Sequence, residues 1–308
     1  MILCCGEALI DMIPARTADG QGGFVPHPGG AVFNTAIALG RLGARTGLLT
    51  GLSTDMFGAQ LADALTASHV DASLVVRSDR PTTLAFLLVA DGQATYSFFD
   101  ENSAGRMLTP GDMPILPDTI AALFFGGISL ACEPAAEAYA DLLAREGKTR
   151  AVMLDPNIRL GFIENVACYR ARLNAMLAQV DIVKVSDEDL DWIVPGARPL
   201  NDKVAVLQDN GPSVVIVTRG GAGATGVLRD GTEVHVPAER ATPVDTVGAG
   251  DTFNAGVLAK LSEAGQLQGD ALAHLSADAL QVAMAYGAKV AAVTVSRTGA
   301  NPPWAKEV

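Results

Sequence analysis

Within residues 244–256 the chain reads VDTVGAGDTFNAG: a carboxylate, a run of small residues and a second carboxylate, then Phe253, Val257 and Leu261 recurring every four positions. That recurrence is the apolar stripe of a helix. The first amides of a helix have no intrahelical partners and carry partial positive charge. Gly248, Ala249 and Gly250 therefore open a space in which backbone N–H groups can hold an anion. A phosphoryl group in transfer is the anion that fits most naturally. Asp251 beside it is unfavourable unless it acts on the other reactant, by taking the proton of an attacking hydroxyl. The structural alternative is that Asp245 or Thr246 caps the helix and Asp251 complements its dipole.

Such a group needs a scaffold, and the composition bounds it. The chain has 308 residues, 49 % of them hydrophobic, enough for a sizeable core in one α/β unit. Its 32 glycines and 5 % aromatics favour tight strand-to-helix turns over an aromatic-rich sandwich. With 22 basic against 34 acidic residues the net charge is −12, which argues against nucleic acid and acidic membrane surfaces as partners. Cys4, Cys5, Cys132 and Cys168 lack Cys-x-x-Cys spacing, and His27, His69, His235 and His274 are scattered, so no zinc site is expected. Reduced thiols point to the cytoplasm. The apolar run at residues 1–5 is too short for a signal segment, and no apolar run approaches the roughly 18 residues of a membrane span.

Short apolar runs (ILCCGEALID, TGLLTGLS, AALFFGGIS, AVMLDPN, VDIVKVS, SVVIVTRG) alternate with helical patterns (FNTAIALGRLG, AEAYADLLARE, QVAMAYGAKVAA). This alternation predicts a three-layer α/β/α fold, a mostly parallel sheet with helices on both faces. Two stretches, about 12–30 and 82–105, lack the helix a parallel unit requires and predict a small β lid; Asp91-Gly92 marks the hairpin turn of the second. Another hairpin is expected at Asp230-Gly231. Gly221, Gly223 and Gly226 satisfy G-x-G-x-x-G, but a hairpin follows where a dinucleotide site needs a helix. The GKT of residues 147–149 lacks a P-loop glycine, because position 142 is Leu142.

DTVGAGDTF resembles the C-terminal signature of the ribokinase-like (PfkB) carbohydrate kinases, and GGAVFNTAIALGRLG at residues 29–43 resembles the family's other signature. GEALID matches the opening strand of that family, and DPNIR, KVSDEDL, VTRGGAG and SRTGANPP follow in its order, so the resemblance spans residues 1–308 as one domain. Within that family the chain resembles the bacterial fructokinases. The resemblance implies Mg-ATP as phosphoryl donor and a small-molecule sugar as acceptor, with fructose phosphorylated at its 6-hydroxyl. It further implies that Asp251 is the catalytic base and that the amides of Ala249 and Gly250, entered through Gly248, form the anion hole. Asp245 and the Val247 carbonyl match positions that hold a monovalent cation, typically K⁺, with capping as the alternative.

By the same resemblance Asp11, Gly29, Gly30 and Asn34 bind sugar hydroxyls; turn formation and helix initiation are the structural alternatives for the last three. Arg159 matches a position near the sugar or the phosphates, while Asp155 and Asn157 either contact ligand or organise their loop. Relatives place an Asn-x-x-Glu arrangement where Ser186 and Asp189 stand, which makes Asp189 and Glu188 candidates for arranging Mg²⁺, or ordinary acids of a helix capped by Ser186. Lys184 either approaches phosphate or is a solvated strand end. Thr218 and Gly221 fall near ATP, with Gly223 as backbone room, and Ala288 stands where many relatives carry Asn or His.

The acceptor turns on the lid arm ATYSFFDENSAGR. Related 2-keto-3-deoxygluconate kinases tend to carry Tyr-Arg there, and this chain has Phe99-Asp100. A carboxylate opposite a carboxylate is repulsive, so Asp100 favours a neutral sugar. Phe98 either closes over the sugar and excludes water or buries one face of the hairpin. An exposed apolar lid face would suit a homodimer. The keto-acid kinase, ribokinase and nucleoside kinase are the alternative activities. An idle sugar sensor on the same fold is a different class, opposed by Asp251 standing beside an intact glycine entrance.

Overall fold

In β1 (Ile2–Cys5) all four residues are buried, with Ile2 and Cys4 packed into one core and Leu3 and Cys5 into another. Successive strand side chains point to opposite faces, so a strand apolar at every position must be covered on both sides. The computed structural model describes residues 1–90 and 93–308, and the inner strands of the sheet repeat this arrangement while its two edge strands alternate buried and exposed.

The chain leaves the core as β2 (Leu9–Arg16) and β3 (Gly22–Gly29) and returns through α1 (Ala31–Arg41) to β4 (Thr46–Leu49) and β5 (Gly51–Ser53). There follow α2 (Met56–Ala67), β6 (Val70–Asp71), β7 (Val76–Ser78), and the hairpin arms β8 (Leu84–Ala90) and β9 (Gln93–Phe99). β10 (Ala122–Gly126), α3 (Ala135–Glu146), β11 (Ala151–Asp155), α4 (Val166–Leu177), β12 (Ile182–Ser186), α5 (Asp187–Ile193), α6 (Leu200–Asn210) and β13 (Val214–Thr218) continue the alternation. The hairpin β14 (Ala224–Leu228) and β15 (Glu233–Val236) precedes α7 (Ala249–Glu263) and α8 (Ala277–Val295).

Among the described residues the main sheet runs β15-β14-β13-β12-β11-β10-β1-β4-β6, parallel except for the β13-β14-β15 hairpin edge. On one face Cys4, Phe124, Met153 and Ile216 pack with Phe33 of α1, Val257 of α7 and Met284 of α8. On the other, Cys5, Phe125, Leu154 and Val215 pack with Tyr139 of α3, Leu173 of α4 and Leu207 of α6. The expected three layers are present. Strand order reverses between β1 and β10, and ligands bind beyond the carboxyl ends of strands at such a switch point. No helix among the described residues is long and apolar enough to cross a membrane.

The lid is a four-stranded sheet, β3-β2-β8-β9, in which β2 and β8 run parallel. Its first segment begins at Leu9, earlier than the expected residue 12, because ILCCGEALID is two strands rather than one. A Cβ on Gly6 would stand 2.5 Å from Val32 Cγ2, so the chain bends where α1 crosses it. Asp11 therefore lies on a lid strand and not at the end of the first core strand. TGLLTGLS likewise divides between two sheets. The expected turn at Asp91-Gly92 lies outside the described residues, while the Asp230-Gly231 hairpin forms as expected.

Candidate active site

A cavity of about 850 Å³ lies where the carboxyl ends of β1, β10, β11 and β12 meet the lid and the start of α7. Asp11, Gly30, Asn34, Phe98, Arg159, Lys184, Val247 and the run from Gly248 to Asp251 all line it. Residues more than 200 positions apart in sequence thus share one chamber.

Gly248 is the N-cap of α7 with φ 79°, the left-handed region that glycine tolerates, and no side chain caps the helix. Neither Asp245 nor Thr246 fills that role. The Ala249 N–H points back to the Thr246 carbonyl at 3.3 Å, and Thr252 N–H bonds the Gly248 carbonyl at 2.9 Å. The amides left over at this entrance are those of Gly250 and Asp251, one residue further along than the expected Ala249 and Gly250. The Lys184 Nζ, almost completely buried, would stand 3.2 Å from a Cβ on Gly250. An ammonium is repelled by a helix N-terminus, so this arrangement is suited to an anion placed between them. Lys184 pairs with Asp155 at 2.9 Å, and Asn254, one turn along α7, donates to the same Asp155 oxygen at 2.7 Å. The expected loop organisation by Asp155 is also present, since its other oxygen accepts Asn157 N–H at 3.1 Å.

Asp251 is 8 % exposed; its Oδ2 accepts from Asn34 Nδ2 at 3.0 Å and its carbonyl accepts the Thr35 hydroxyl at 3.1 Å. Burial pushes the carboxyl up to about 7. The Asn34 hydrogen bond opposes the shift, the Asp155 charge adds to it, Lys184 opposes it and Glu7 adds to it. A carboxylate with that affinity for a proton is matched to accepting one near neutral pH.

On the lid side, the Asp11 carboxylate occupies the space a Cβ on Gly29 would take, and burial raises its pKa to about 6. Phe98 faces the cavity, its ring 4.4 Å from Phe162 and stacked on Tyr96, whereas Phe99 turns to the other face against Phe86. Asp100 does not stand as a free charge: it is buried and pairs with Arg106 at 2.8 Å, and Arg106 also holds Glu164 at 2.6 Å. The repulsion expected of Asp100 is therefore largely compensated. Charge in the chamber is still predominantly negative, with Glu7, Asp11, Asp100, Glu101, Glu164 and Asp251 set against Arg106, Arg159 and Lys184. Arg159 lines the wall, its guanidinium hydrogen-bonded to the Ile158 carbonyl at 3.1 Å.

The nucleotide and metal candidates lie outside this chamber, apart from Lys184 and Val247. Thr218 pairs in register with Ser186, which puts the end of β13 beside that of β12, and the space around Gly221 is open. The room at Gly223 is already filled, because a Cβ there would collide with the Val236 carbonyl as β15 returns. Ser186 caps α5 through Asp189 N–H at 3.0 Å; the Asp189 carboxylate turns to Ile158 N–H at 3.2 Å, and Glu188 is exposed. Burial and then the neighbouring Asp155 raise the Asp189 carboxyl. Both Asp155 oxygens are already taken by Lys184, Asn254 and Asn157, which leaves the Asp189 and Glu188 carboxylates as hard oxygens for Mg²⁺, an ion that asks for few protein oxygens when phosphates and water supply the rest. Asp245 ties loops together, accepting Val247 N–H at 3.0 Å and Gly299 N–H at 2.9 Å. Its oxygens and the Val247 carbonyl are the hard donors a monovalent cation takes.

Glu7, Thr35, Arg106 and Asn254 were not singled out by the sequence reading. Glu7 follows an apolar run and Arg106 a hairpin, and neither spacing marks a partner. Residues 1–307 match the family described as pfkB family carbohydrate kinase. The chain is 51 % identical over 282 residues to the fructokinase of Rhizobium leguminosarum bv. trifolii, an alignment covering 91 % of this chain and 86 % of that protein. It is 34 % identical to the fructokinase of Klebsiella pneumoniae, over 84 % of each. The crystal structure of fructokinase with bound ATP from Xylella fastidiosa is similar with a TM-score of 0.87 at 28 % identity, covering 97 % of this chain and 93 % of that one.

Proposed function

The chain belongs to the pfkB family of carbohydrate kinases, and from that membership we propose that it transfers the γ-phosphoryl group of ATP to the 6-hydroxyl of D-fructose. The observation that carries this reading is Asp251, buried beside the free amides of α7 with its carboxyl raised to about 7. The acceptor hydroxyl delivers its proton to Asp251 as its oxygen attacks the γ-phosphorus, whose bond to the bridging oxygen breaks so that ADP leaves. Gly250 and Asp251 amides, with Lys184 beside them, take up the charge on the phosphoryl oxygens, and Gly248 leaves the approach open. Asp11, Asn34 and the Gly29-Gly30 turn orient the sugar, Arg159 lies over it, and Phe98 keeps water from the reacting oxygen.

The predominantly acidic chamber favours a neutral sugar over a keto-acid. The fructokinase named above with bound ATP supports the nucleotide, with Thr218 and Gly221 on that side. Asp189 and Glu188 are the carboxylates that would hold Mg²⁺ carried on the nucleotide, which would supply charge neutralisation at the phosphates. K⁺ is assigned to Asp245 and Val247, and equal activity in sodium-only and potassium buffers would count against it. In this reading residues 1–308 act as one domain in the cytoplasm, and Phe24 and Phe99, exposed on the lid face that packs around Phe86, serve a homodimer.

The test is ADP release with Mg-ATP across fructose, glucose, ribose, adenosine and 2-keto-3-deoxygluconate. Turnover mainly with fructose is expected. Turnover mainly with the keto-acid would keep the mechanism and overturn the acceptor assignment.

A further inference from the structure

Glu7 follows β1 with its side chain almost wholly enclosed, 9 % exposed, yet it lines the reaction chamber. Its Oε1 accepts Ala31 N–H, the first amide of α1, at 3.0 Å, and its Oε2 accepts Ser129 N–H, in the turn after β10, at 3.3 Å. Its own carbonyl accepts Phe33 N–H at 3.2 Å. The helix cap at Gly30 has no side chain to offer, so the capping oxygen for α1 arrives from another element. Two glycines make room for it. A Cβ on Gly127, which has φ 69°, would collide with the Glu7 carboxylate, and one on Gly30 would stand 3.0 Å from the Glu7 carbonyl and 3.2 Å from its Cγ. One carboxylate thus joins the strand that precedes Asp11, the helix that carries Asn34, and the wall formed after β10.

We propose that Glu7 is a positioning residue of the acceptor subsite, fixing the Gly29-Gly30 turn and α1 against the Gly127 turn so that Asp11, Asn34 and Asp251 converge on one sugar hydroxyl set. This rests on the sugar-kinase reading above. Glu7 contacts no reacting atom; it acts through the two turns and through its charge. The groups facing Asp251 are Asn34 from α1, Asp155 from β11, Lys184 from β12 and Glu7 itself, while Cys132 and Tyr139 face Glu7 from the other side. Asp11 from β2 shares the chamber with both. Glu7 is a like charge that makes no direct hydrogen bond to Asp251 or to the Asn34 side chain.

The two substitutions Glu7→Asp and Glu7→Gln separate reach from charge. Glu7→Asp keeps the charge but cannot span both turns. Glu7→Gln keeps the length but offers one oxygen where two amides wait. Each is expected to raise the KM for the preferred sugar about tenfold, the loss typical of a hydrogen bond to a charged group, with the KM for ATP changed less than about twofold. The acid limb of the kcat/KM profile moves to lower pH in Glu7→Gln and stays in place in Glu7→Asp, because only the former removes a negative charge near Asp251. Parent sugar KM values in both variants, or variants that merely melt earlier with all kinetic constants and the pH profile kept, would overturn the proposal. The parent enzyme, assayed with the five acceptors, is the internal control: turnover of none of them defeats the kinase reading, whereas parent turnover with unaffected variants defeats only the role of Glu7.

Discussion

Replacing Asp251 with asparagine should make the protein more stable and nearly inactive at once. The parent carboxyl rises from 3.8 to about 7 in the folded state, chiefly through burial. At 1.36 kcal/mol for each pKa unit, a shift of that size corresponds to about 4 kcal/mol of folding stability forgone when the group is ionised. The sign follows from the direction of the shift. Below about pH 4 the group is protonated in both states and costs nothing; between about pH 4 and 7 the unfolded chain loses its proton first, so the cost grows, and above about 7 it is complete. Asparagine has nearly the same shape, can accept from Asn34 Nδ2 through its Oδ1, and carries no charge to desolvate. Denaturant midpoints at several pH values between about 5 and 8 should show the variant gaining on the parent as pH rises, by an amount approaching about 4 kcal/mol. ADP release in the presence of sugar should fall about 10²-fold or more, the scale of a general base, with nucleotide affinity kept. Parallel stability curves would refute the argument from desolvation, and near-parent turnover would remove Asp251 as the base.

Further expectations follow from the same geometry. In the parent, kcat/KM for the sugar should rise with pH through about 7 as Asp251 ionises; a flat profile across that range would mean that another group accepts the proton. Phe98→Ala removes the contacts to Phe162 and Tyr96, so sugar KM should rise about fivefold and sugar-independent ATP hydrolysis should increase. Hydrolysis unchanged in that variant would assign Phe98 to packing alone. Arg106→Gln leaves Asp100 as an unpaired buried charge, at about 3 kcal/mol in denaturation, and adding Asp100→Asn should restore most of it. Purely additive losses would show that the pair is not coupled.

The fold was legible where local pattern suffices. Strands apolar at every position, such as AVMLDPN and SVVIVTRG, admit little other than a parallel sheet covered on both faces, and both lie where that reading put them. Residues 248–251 were legible as a helix entrance for a similar reason: its small residues and its acid are neighbours in sequence and visible as a contiguous string. The break in ILCCGEALID was not, because it depends on α1 crossing Gly6, which no periodicity records. The significance of Asp100 was misjudged because its counter-charge, Arg106, follows in a loop whose direction is set only when the lid folds back.

What the sequence determined by itself is local: the small residues and the acid at the start of one helix, and the alternation that requires a layered sheet, whereas which amides stay unpaired there was decided by the turn before it. What only the tertiary structure decided is the pairing of residues far apart. Asn34 reaches Asp251 across 217 positions, Lys184 meets Asp155, and Glu7 holds Ala31 and Ser129 together. Those contacts follow from where α1 and α7 cross at the β1–β10 switch point. Backbone hydrogen bonding and side-chain alternation act over a few residues, whereas the electrostatic environment of a buried carboxylate depends on every charge the fold brings near it.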